Sequence, residues 1–565
     1  MPQLDEVKAT LLYSEVYGQI PTPRWVKTLL GRTNKGLLLT YVCSLSAIMH
    51  ANMDVSMEPA WQVDNIMQEF THVLRAQKAI DLMREGRIVF HEPLLGLMAR
   101  YALAFGCDGN TIGDLAENVL RLALSINELY LDVNVPFDTT TAETRASYLK
   151  LEIWPAVIPN ERLAHVVQRY YRFFRWIDGI EEASVDWLPL RADFQRLLEM
   201  TPEEYLACAM AMFSRVLLIR VPSDLRDTPP QIVLSEYVAA LSDRTIVKGW
   251  VDRFGCSKRD LVDGFEPSFS LRDIAPFVEK PLLVLGDDTV CCPMPSLLED
   301  TLNTRLYFTL YAEYEAVDGK QAAEKFSRLQ ARFLESYVGD LVRLMVGPEY
   351  ETFGEISYRK LKSEAKSTDV VAVRRSDGCS AFIEVTKTRF HLAESLFAMD
   401  ERRIFKDIEA MLLGKAEQMQ KRIDDLGAGL FHYSQPVTAI APVVVTGQAV
   451  PGLVYLKHYV FDQLRERNVL QNTVPLLNCD VEELEMLAMM APGKVDLYAL
   501  LAEKATHPDG RARLQPLKNY LYYYRPDLSR QFPRDMTFPE FRAAVNEMVA
   551  PVFHRWGVGD GGPIL

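Results

Sequence analysis

Through most of residues 1 to about 275, apolar positions recur at steps of three and four, the period of amphipathic helices. TPRWVKTLLGRTNKGLLLTYVCSL, TIGDLAENVLRLALSINELYL and NERLAHVVQRYYRFFRWIDGI all read this way. In VDNIMQEFTHVLRAQKAIDLM the apolar set is Val63, Ile66, Phe70, Val73 and Leu74; Gln77 interrupts it and Ile80 resumes it, which predicts one helix. The uncharged run from Gly36 to Met53 carries Thr40, Ser44, Ser46, His50 and Asn52, so it reads as a buried helix rather than a membrane span. Tyr170, Tyr171, Phe173, Phe174 and Trp176 alternate with Arg169, Arg172 and Arg175. That run suits either a base-stacking surface or the thick apolar face of a core helix, and the spacing favours the core helix.

The pattern changes near residue 280. KPLLVLGDDTVCCPMPSLL reads as two short strands around a Gly-Asp-Asp turn, followed by a helix start, with Cys291 and Cys292 as buried hairpin residues. A long helix is predicted from about Gln321 to Met345, then strands in GEISYRKLK and TDVVAVRRSDGCSAFIEVTK, a helix from about Asp400 to Leu426, and a strand in VTAIAPVVVTG. Helix and strand alternate as in an α/β unit with a mixed sheet. The expected fold is therefore α+β and multidomain. Residues 1–275 form a helical domain, 276–320 a connecting hairpin and helix, 321–530 the α/β domain and 531–565 a C-terminal extension.

Asp377-Gly378 lies between alternating hydrophobic runs, a hairpin signal, because the two-residue type I′ turn needs positive φ at both positions. With that turn, Ser376 pairs with Cys379, Val373 faces Phe382, Val371 faces Glu384 and Asp369 faces Thr386. Asp369, Val371, Val373, Phe382, Glu384 and Thr386 then share one face, and Val370, Ala372, Ala381, Ile383 and Val385 the other, a good core face. Asp369 and Glu384 become diagonal neighbours, within reach of a common cation. In RFLESYVGDLVRLM, Glu335 sits at the edge of the apolar stripe and can point over the sheet. Two or three such carboxylates suit Mg²⁺ or Mn²⁺, a hard cation that keeps waters besides; from the hairpin alone they read equally well as solvated residues of an exposed strand face and helix.

Charge narrows the partners. The 565 residues carry 62 Lys and Arg against 76 Asp and Glu, a net charge of −14, with 48% hydrophobic and 24% charged residues. Such a chain is globular and is no bulk electrostatic binder of nucleic acid or anionic lipid. Between Arg359 and Arg375, however, six basic residues (Arg359, Lys360, Lys362, Lys366, Arg374 and Arg375) meet only Glu364 and Asp369, a local surface suited to phosphate. The eight cysteines form no CxxC pair and no metal-ligand spacing, and the N-terminus has no basic stretch before an apolar core, so a reducing cytoplasmic setting without a membrane segment is expected. No GxxxxGK[ST] loop and no GxSxG elbow occurs.

FLESYV, STDVVAV and FIEVTK, in that order and followed by the helix GKAEQMQKRI, resemble the PD-(D/E)xK nuclease superfamily over roughly residues 321–450. The resemblance implies a restriction-endonuclease-like domain that hydrolyses phosphodiester bonds of DNA or RNA with Mg²⁺ or Mn²⁺. Asp369, Glu384 and Glu335 would be metal ligands, and Lys415 and Gln418 candidates for the family's Lys/Gln-bearing helix. Two positions depart from the pattern. Thr368 stands where Pro is usual, and Thr386 stands where the motif has Lys. Lys387 is next, but strict alternation points it to the opposite face. Either a β-bulge near Val385 turns Lys387 into the site, or Lys366, Arg389 or Lys415 supplies the cation, or the site is inactive. His391 follows the hairpin and reads either as a helper at the site or as a structural residue.

The function expected on this basis is a nuclease whose helical domain senses a foreign product or holds it inactive until triggered, with a protein trigger or inhibitor as a further partner, in a setting such as prokaryotic antiviral defence. The alternative is a degenerate nuclease fold that binds nucleic acid or protein without cutting.

Overall fold

The computed structural model describes residues 10–53, 56–131, 162–180, 187–217, 231–234, 244–286, 289–360, 363–391, 395, 397–398, 400–447, 450, 454–529 and 539–556. The protein is mixed α and β, with helix predominating and two mixed sheets. The uncharged run forms the helix Lys35–Ala51, with Leu38, Leu39, Val42 and Leu45 buried. Asn34 caps it by accepting a hydrogen bond from Leu37 N at 2.9 Å. No helix among the described residues is long and apolar enough to cross a membrane.

The single helix predicted over residues 63–83 is broken. Pro59–Asn65 is followed by a 3₁₀ turn, Met67–Phe70, and the helix restarts at Ala76–Arg84. Arg75, at φ 68°, breaks the run, and its guanidinium donates to Val16 O at 3.2 Å. Val73 is thereby buried and Leu74 turned out to 66% exposure.

The aromatic run lies on the helix Leu163–Asp178. Tyr170, Tyr171, Phe173 and Phe174 are all buried, so the core reading holds for them. Arg169 pairs with the buried Glu485 at 3.0 Å.

Near residue 280 a four-stranded sheet forms from β1 (Gln231–Val233), β2 (Gly255–Ser257), β3 (Leu282–Val284) and β4 (Thr289–Cys291), in the order β1-β4-β3-β2. Cys291 and Cys292 are buried, and all eight cysteines are free thiols.

The second sheet carries the candidate chemistry. Its strands are β5 (Tyr350–Gly354), β8 (Val370–Arg374), β9 (Cys379–Thr386), β10 (Ala439–Thr446) and β11 (Leu477–Asp480), in the order β11-β10-β9-β8-β5. β9, β10 and β11 run parallel; β8 is antiparallel to both its neighbours. β6 (Ser357–Lys360) and β7 (Ser363–Lys366) make a separate hairpin between β5 and β8.

Each face of this sheet has its own cover. Val370, Ala372, Ala381, Ile383 and Val385 share an apolar cluster with Phe326, Leu329, Phe333 and Leu341 of the long helix Lys320–Met345. The same cluster continues to Val166 and Phe173 in the first half of the chain and to Val552 and Trp556 near its end. On the other face, Val371, Val373 and Phe382 pack with Met419 of the helix Gly414–Gly427 and with Phe431 and Tyr433.

The hairpin register differs from the expected one by two residues. Val370 pairs with Ile383, Val371 with Phe382, Ala372 with Ala381 and Val373 with Ser380. Gly378 has φ 75° but Asp377 does not reach positive φ, so the two-residue turn does not form. Instead Gly378 N donates to Arg374 O at 2.9 Å, and the Asp377 carboxylate accepts from Cys379 N at 3.1 Å and holds Arg374 at 2.6 Å. A two-residue slip keeps the parity of side chains, so every residue stays on its expected face.

Candidate active site

Continued by one step beyond β8, the observed register sets Asp369 directly opposite Glu384. This is closer than the diagonal relation expected from the shorter turn. Asp369 is pinned at the strand end, where Oδ2 accepts from Val385 N at 2.7 Å. Glu384 is fully buried. Lys415 comes from the helix Gly414–Gly427, whose Met419 anchors it to the same sheet face one turn on. Its Nζ stands 3.3 Å from Glu384 Oε2 and 3.9 Å from Asp369 Oδ2.

The carboxyl groups hold protons more tightly than usual. Burial, and then the charge of Asp369, push Glu384 up to about 8 against the opposing pull of Lys415. Burial raises Asp369 as well, countered by Lys415 and by the hydrogen bond from Val385. Glu335 is pushed up to about 7, first by burial and then by Asp369 and Glu355. Glu335, on the long helix, thus lies within the electrostatic reach of Asp369. Glu384 Oε1 is buried and has no hydrogen-bond partner among the described residues.

Lys387 lies elsewhere. Strict alternation holds, no bulge turns it, and its Nζ reaches across to the long helix, donating to Ser327 O at 2.5 Å and to the Ser327 hydroxyl. Burial, with Arg389 and Arg328 nearby, lowers it to about 8. Of the other cations considered, Arg389 lies over the Phe308 ring at 5.3 Å and Lys366 pairs with Glu355 at 2.6 Å. Lys415 is the cation brought to the carboxylate pair. Thr386 is on the carboxylate face but buried, its hydroxyl accepting from Thr388 N at 3.1 Å. His391 binds Asp407, with Nδ1 2.8 Å from Oδ1, and has no contact with Asp369 or Glu384.

The basic surface is largely neutralised in space. Lys360 pairs with Asp425 at 2.6 Å, Arg374 with Asp496 at 2.6 Å and Arg375 with Glu351 at 2.9 Å. Arg359 stays exposed on β6, and Gln418 is half-buried on the helix of Lys415. Lys362 lies outside the described residues. The run of basic residues in the sequence is therefore not a continuous positive surface. Two residues at the site escaped sequence reasoning. Arg422 lies two turns beyond Lys415 on the same helix and lowers Glu384. Tyr433, pushed up to about 12 by burial, feels the Glu384 charge. The seven-residue spacing from Lys415 is the one signal that could have flagged Arg422.

Among the described residues no group of three or more His, Cys, Asp or Glu is arranged to hold a metal ion. The donor set here is the opposed pair Asp369 and Glu384. That set is enough for Mg²⁺, which is bound through one or two carboxylates and completes its shell with water and substrate phosphate. The unpartnered, buried Oε1 of Glu384 is the observation that fits such a ligand.

No protein-family model matches the chain, and no curated protein and no solved structure matches it.

Proposed function

We propose that the protein is a metal-dependent nuclease whose site is the Asp369–Glu384 pair with Lys415 beside it. The observation that carries this reading is the direct opposition of two buried carboxylates around one lysine, with one carboxylate oxygen left without a partner. When bound, Mg²⁺ or Mn²⁺ would lower the pKa of a coordinated water and neutralise charge on the phosphoryl group. Asp369 and Glu384 would hold that ion. Glu335, protonating near neutrality, is suited to take the proton of the attacking water. Lys415 is placed to steady the charge that builds on the scissile phosphate. The substrate is DNA or RNA, and a regulated role in antiviral defence accords with the family resemblance.

Thr386 in the usual Lys position favours a second reading, in which the fold binds nucleic acid or protein without cutting. Here Lys415 would serve as a permanent counter-ion to the carboxylate pair.

One experiment addresses both. A panel of DNA and RNA, tRNA included, is incubated with Mg²⁺ or Mn²⁺ and either wild type or Glu384→Ala, and metal binding to both proteins is titrated. Metal-dependent cutting lost in the variant is the expected result. Metal binding that is absent from the wild type, or unchanged by the substitution, would overturn the nuclease reading.

A further inference from the structure

His50 stands in the last turn of the helix Lys35–Ala51 and is buried together with Ser296 and Glu299 of the short helix Pro295–Asp300. Its Nδ1 is 3.3 Å from Ser296 Oγ and its Nε2 is 3.0 Å from Glu299 Oε1. Glu92, half-buried at the start of the helix Glu92–Phe105, completes the row. Ser296 Oγ lies 2.6 Å from Glu92 Oε2, and Ser296 N donates to Glu92 Oε1 at 2.9 Å. Glu92, Ser296, His50 and Glu299 thus form one continuous relay across three helices. Cys292 faces Glu92 as a thiol held well above its ordinary value by burial, and Asp300 acts through its charge on Tyr205. The helix Pro202–Leu217 presents the Phe213 ring, 6.4 Å from that of His50.

A hydroxyl has one proton, so Ser296 can donate to only one of its two partners. If it donates to Glu92, it accepts from Nδ1–H, and His50 is an imidazolium between two carboxylates. If Glu92 carries the proton and donates to Ser296, the hydroxyl proton goes to a bare Nδ1. The two arrangements interconvert by moving protons along the relay and hold the same number of them. Each leaves one negative charge in excess. Loss of a further proton leaves two, beside buried groups that water solvates poorly. Burial pulls the imidazole down, but Glu299 and Glu92 outweigh it and hold His50 above its ordinary 6.5. Burial raises Glu92, against His50 and the two hydrogen bonds from Ser296. Two raised groups favour the fold most when protonated. That contribution is whole below their ordinary values and is lost as the pH climbs through the raised ones.

The relay sits at a joint. On the same short helix, Leu297 belongs to the apolar cluster of Leu39, Met49 and Leu94, and Leu298 to that of Phe213 and Phe333. The chain then passes through the helix Thr304–Asp318 to Lys320–Met345, which carries Glu335. We propose that the relay is a proton-operated clasp, which fastens Pro295–Asp300 to the helices Lys35–Ala51 and Glu92–Phe105 while it keeps its proton and releases them as the pH rises. The inference stands apart from the nuclease reading, because none of the four residues belongs to the carboxylate site.

Amide hydrogen exchange of the full chain from pH 6 to pH 9.5, corrected for the intrinsic pH dependence of exchange, tests it. Protection at the end of Lys35–Ala51, the start of Glu92–Phe105 and along Pro295–Asp300 should fall together, with a midpoint above 6.5 and a slope of up to about tenfold per pH unit for one proton. Glu92→Gln keeps the shape but removes an anion beside His50, so the midpoint should drop by about one pH unit or more. The double variant Glu92→Gln/Glu299→Gln has no buried negative charge to gain, and its protection should stay flat across the range. Wild-type protection of the three segments that does not change with pH would overturn the proposal. So would a midpoint that stays or rises in Glu92→Gln, or a step of undiminished size in the double variant.

Discussion

Lys415 reaches into the sheet to place its Nζ 3.3 Å from Oε2 of the fully buried Glu384. Lys387, the neighbour of the motif position in sequence, is on the far face, bound to Ser327. The two lysines therefore separate cleanly by mutation. On the proposed nuclease reading, Lys415→Met should lower cleavage by about 10²–10³-fold, the scale of one preorganised group that stabilises developing charge. Metal affinity should not fall with it, because a competing cation has been removed. Lys387→Met should stay within about threefold of wild type, well under 1 kcal/mol of transition-state stabilisation. Single-turnover cleavage and metal titration of both variants check this, and a larger loss at Lys387 than at Lys415 would reverse the assignment.

If Asp369 and Glu384 hold a metal as proposed, proton release should accompany its binding. Glu384 titrates near 8 in the fold against an ordinary value of 4.5, and carboxylate ligands bind metal only when deprotonated. Affinity for Mg²⁺ should therefore rise from pH 6 to pH 8 and level off above. Calorimetry in buffers of different ionisation enthalpy should show a proton leaving at pH 7 and none at pH 9.

The same shift makes a statement about stability. A raised carboxyl favours the folded state most when protonated. Its contribution is fully present below the ordinary value of 4.5 and is lost as the pH rises through about 8. Each pH unit inside that window is worth up to about 1.4 kcal/mol. Glu384→Gln keeps the neutral form at every pH. In the absence of metal, wild type and variant should melt together near pH 5, and the variant should melt several degrees higher at pH 9. Thermal melts across pH give the comparison directly.

How much of this was legible from the chain depends on the range of the interaction. The face shared by Asp369 and Glu384 follows from alternation alone, and a two-residue slip of register leaves it intact. The slip itself depends on the Asp377 carboxylate binding Arg374 and Cys379 N, which a dipeptide rule does not contain. Lys415 lay on a helix flagged by its sequence, but its reach to Glu384 depends on Met419 docking that helix on Phe382. Long-range charge was the least legible. Lys360 with Asp425 and Arg374 with Asp496 lie far apart in the chain, so a local count of charges mistook paired residues for a surface. The broken helix at 66–75 failed for a related reason, because Arg75 is bound to Val16 from another segment.

A buried group ties the two halves of the chain together. Glu485 accepts from Tyr337 OH at 2.6 Å, faces His165 Nδ1 at 2.9 Å and pairs with Arg169 at 3.0 Å, joining three helices. Glu485→Ala leaves the Arg169 guanidinium buried without its carboxylate and should destabilise the fold by about 3–5 kcal/mol. Tyr337→Phe removes one hydrogen bond and should cost about 1–2 kcal/mol. Urea unfolding of both variants, followed by circular dichroism, checks the order and the sizes.

The turn that sets the register offers a test in which stability and site chemistry part company. Gly378 has φ 75°, and a Cβ there would stand 2.3 Å from Pro436 O and 3.1 Å from Thr438 Cγ2. Gly378→Ala must therefore strain the backbone and push the Pro436 segment away, a loss of about 1–3 kcal/mol. If the strain moves the register by two residues, toward the shorter turn, parity is kept, and Asp369 and Glu384 remain on one face. Metal affinity should then change by less than the stability does. Deleting Ser376 instead moves the register by one residue and puts Asp369 and Glu384 on opposite faces. Metal binding should vanish in the deletion and survive in Gly378→Ala, as read by Mn²⁺ titration of the two proteins at a temperature where both remain folded.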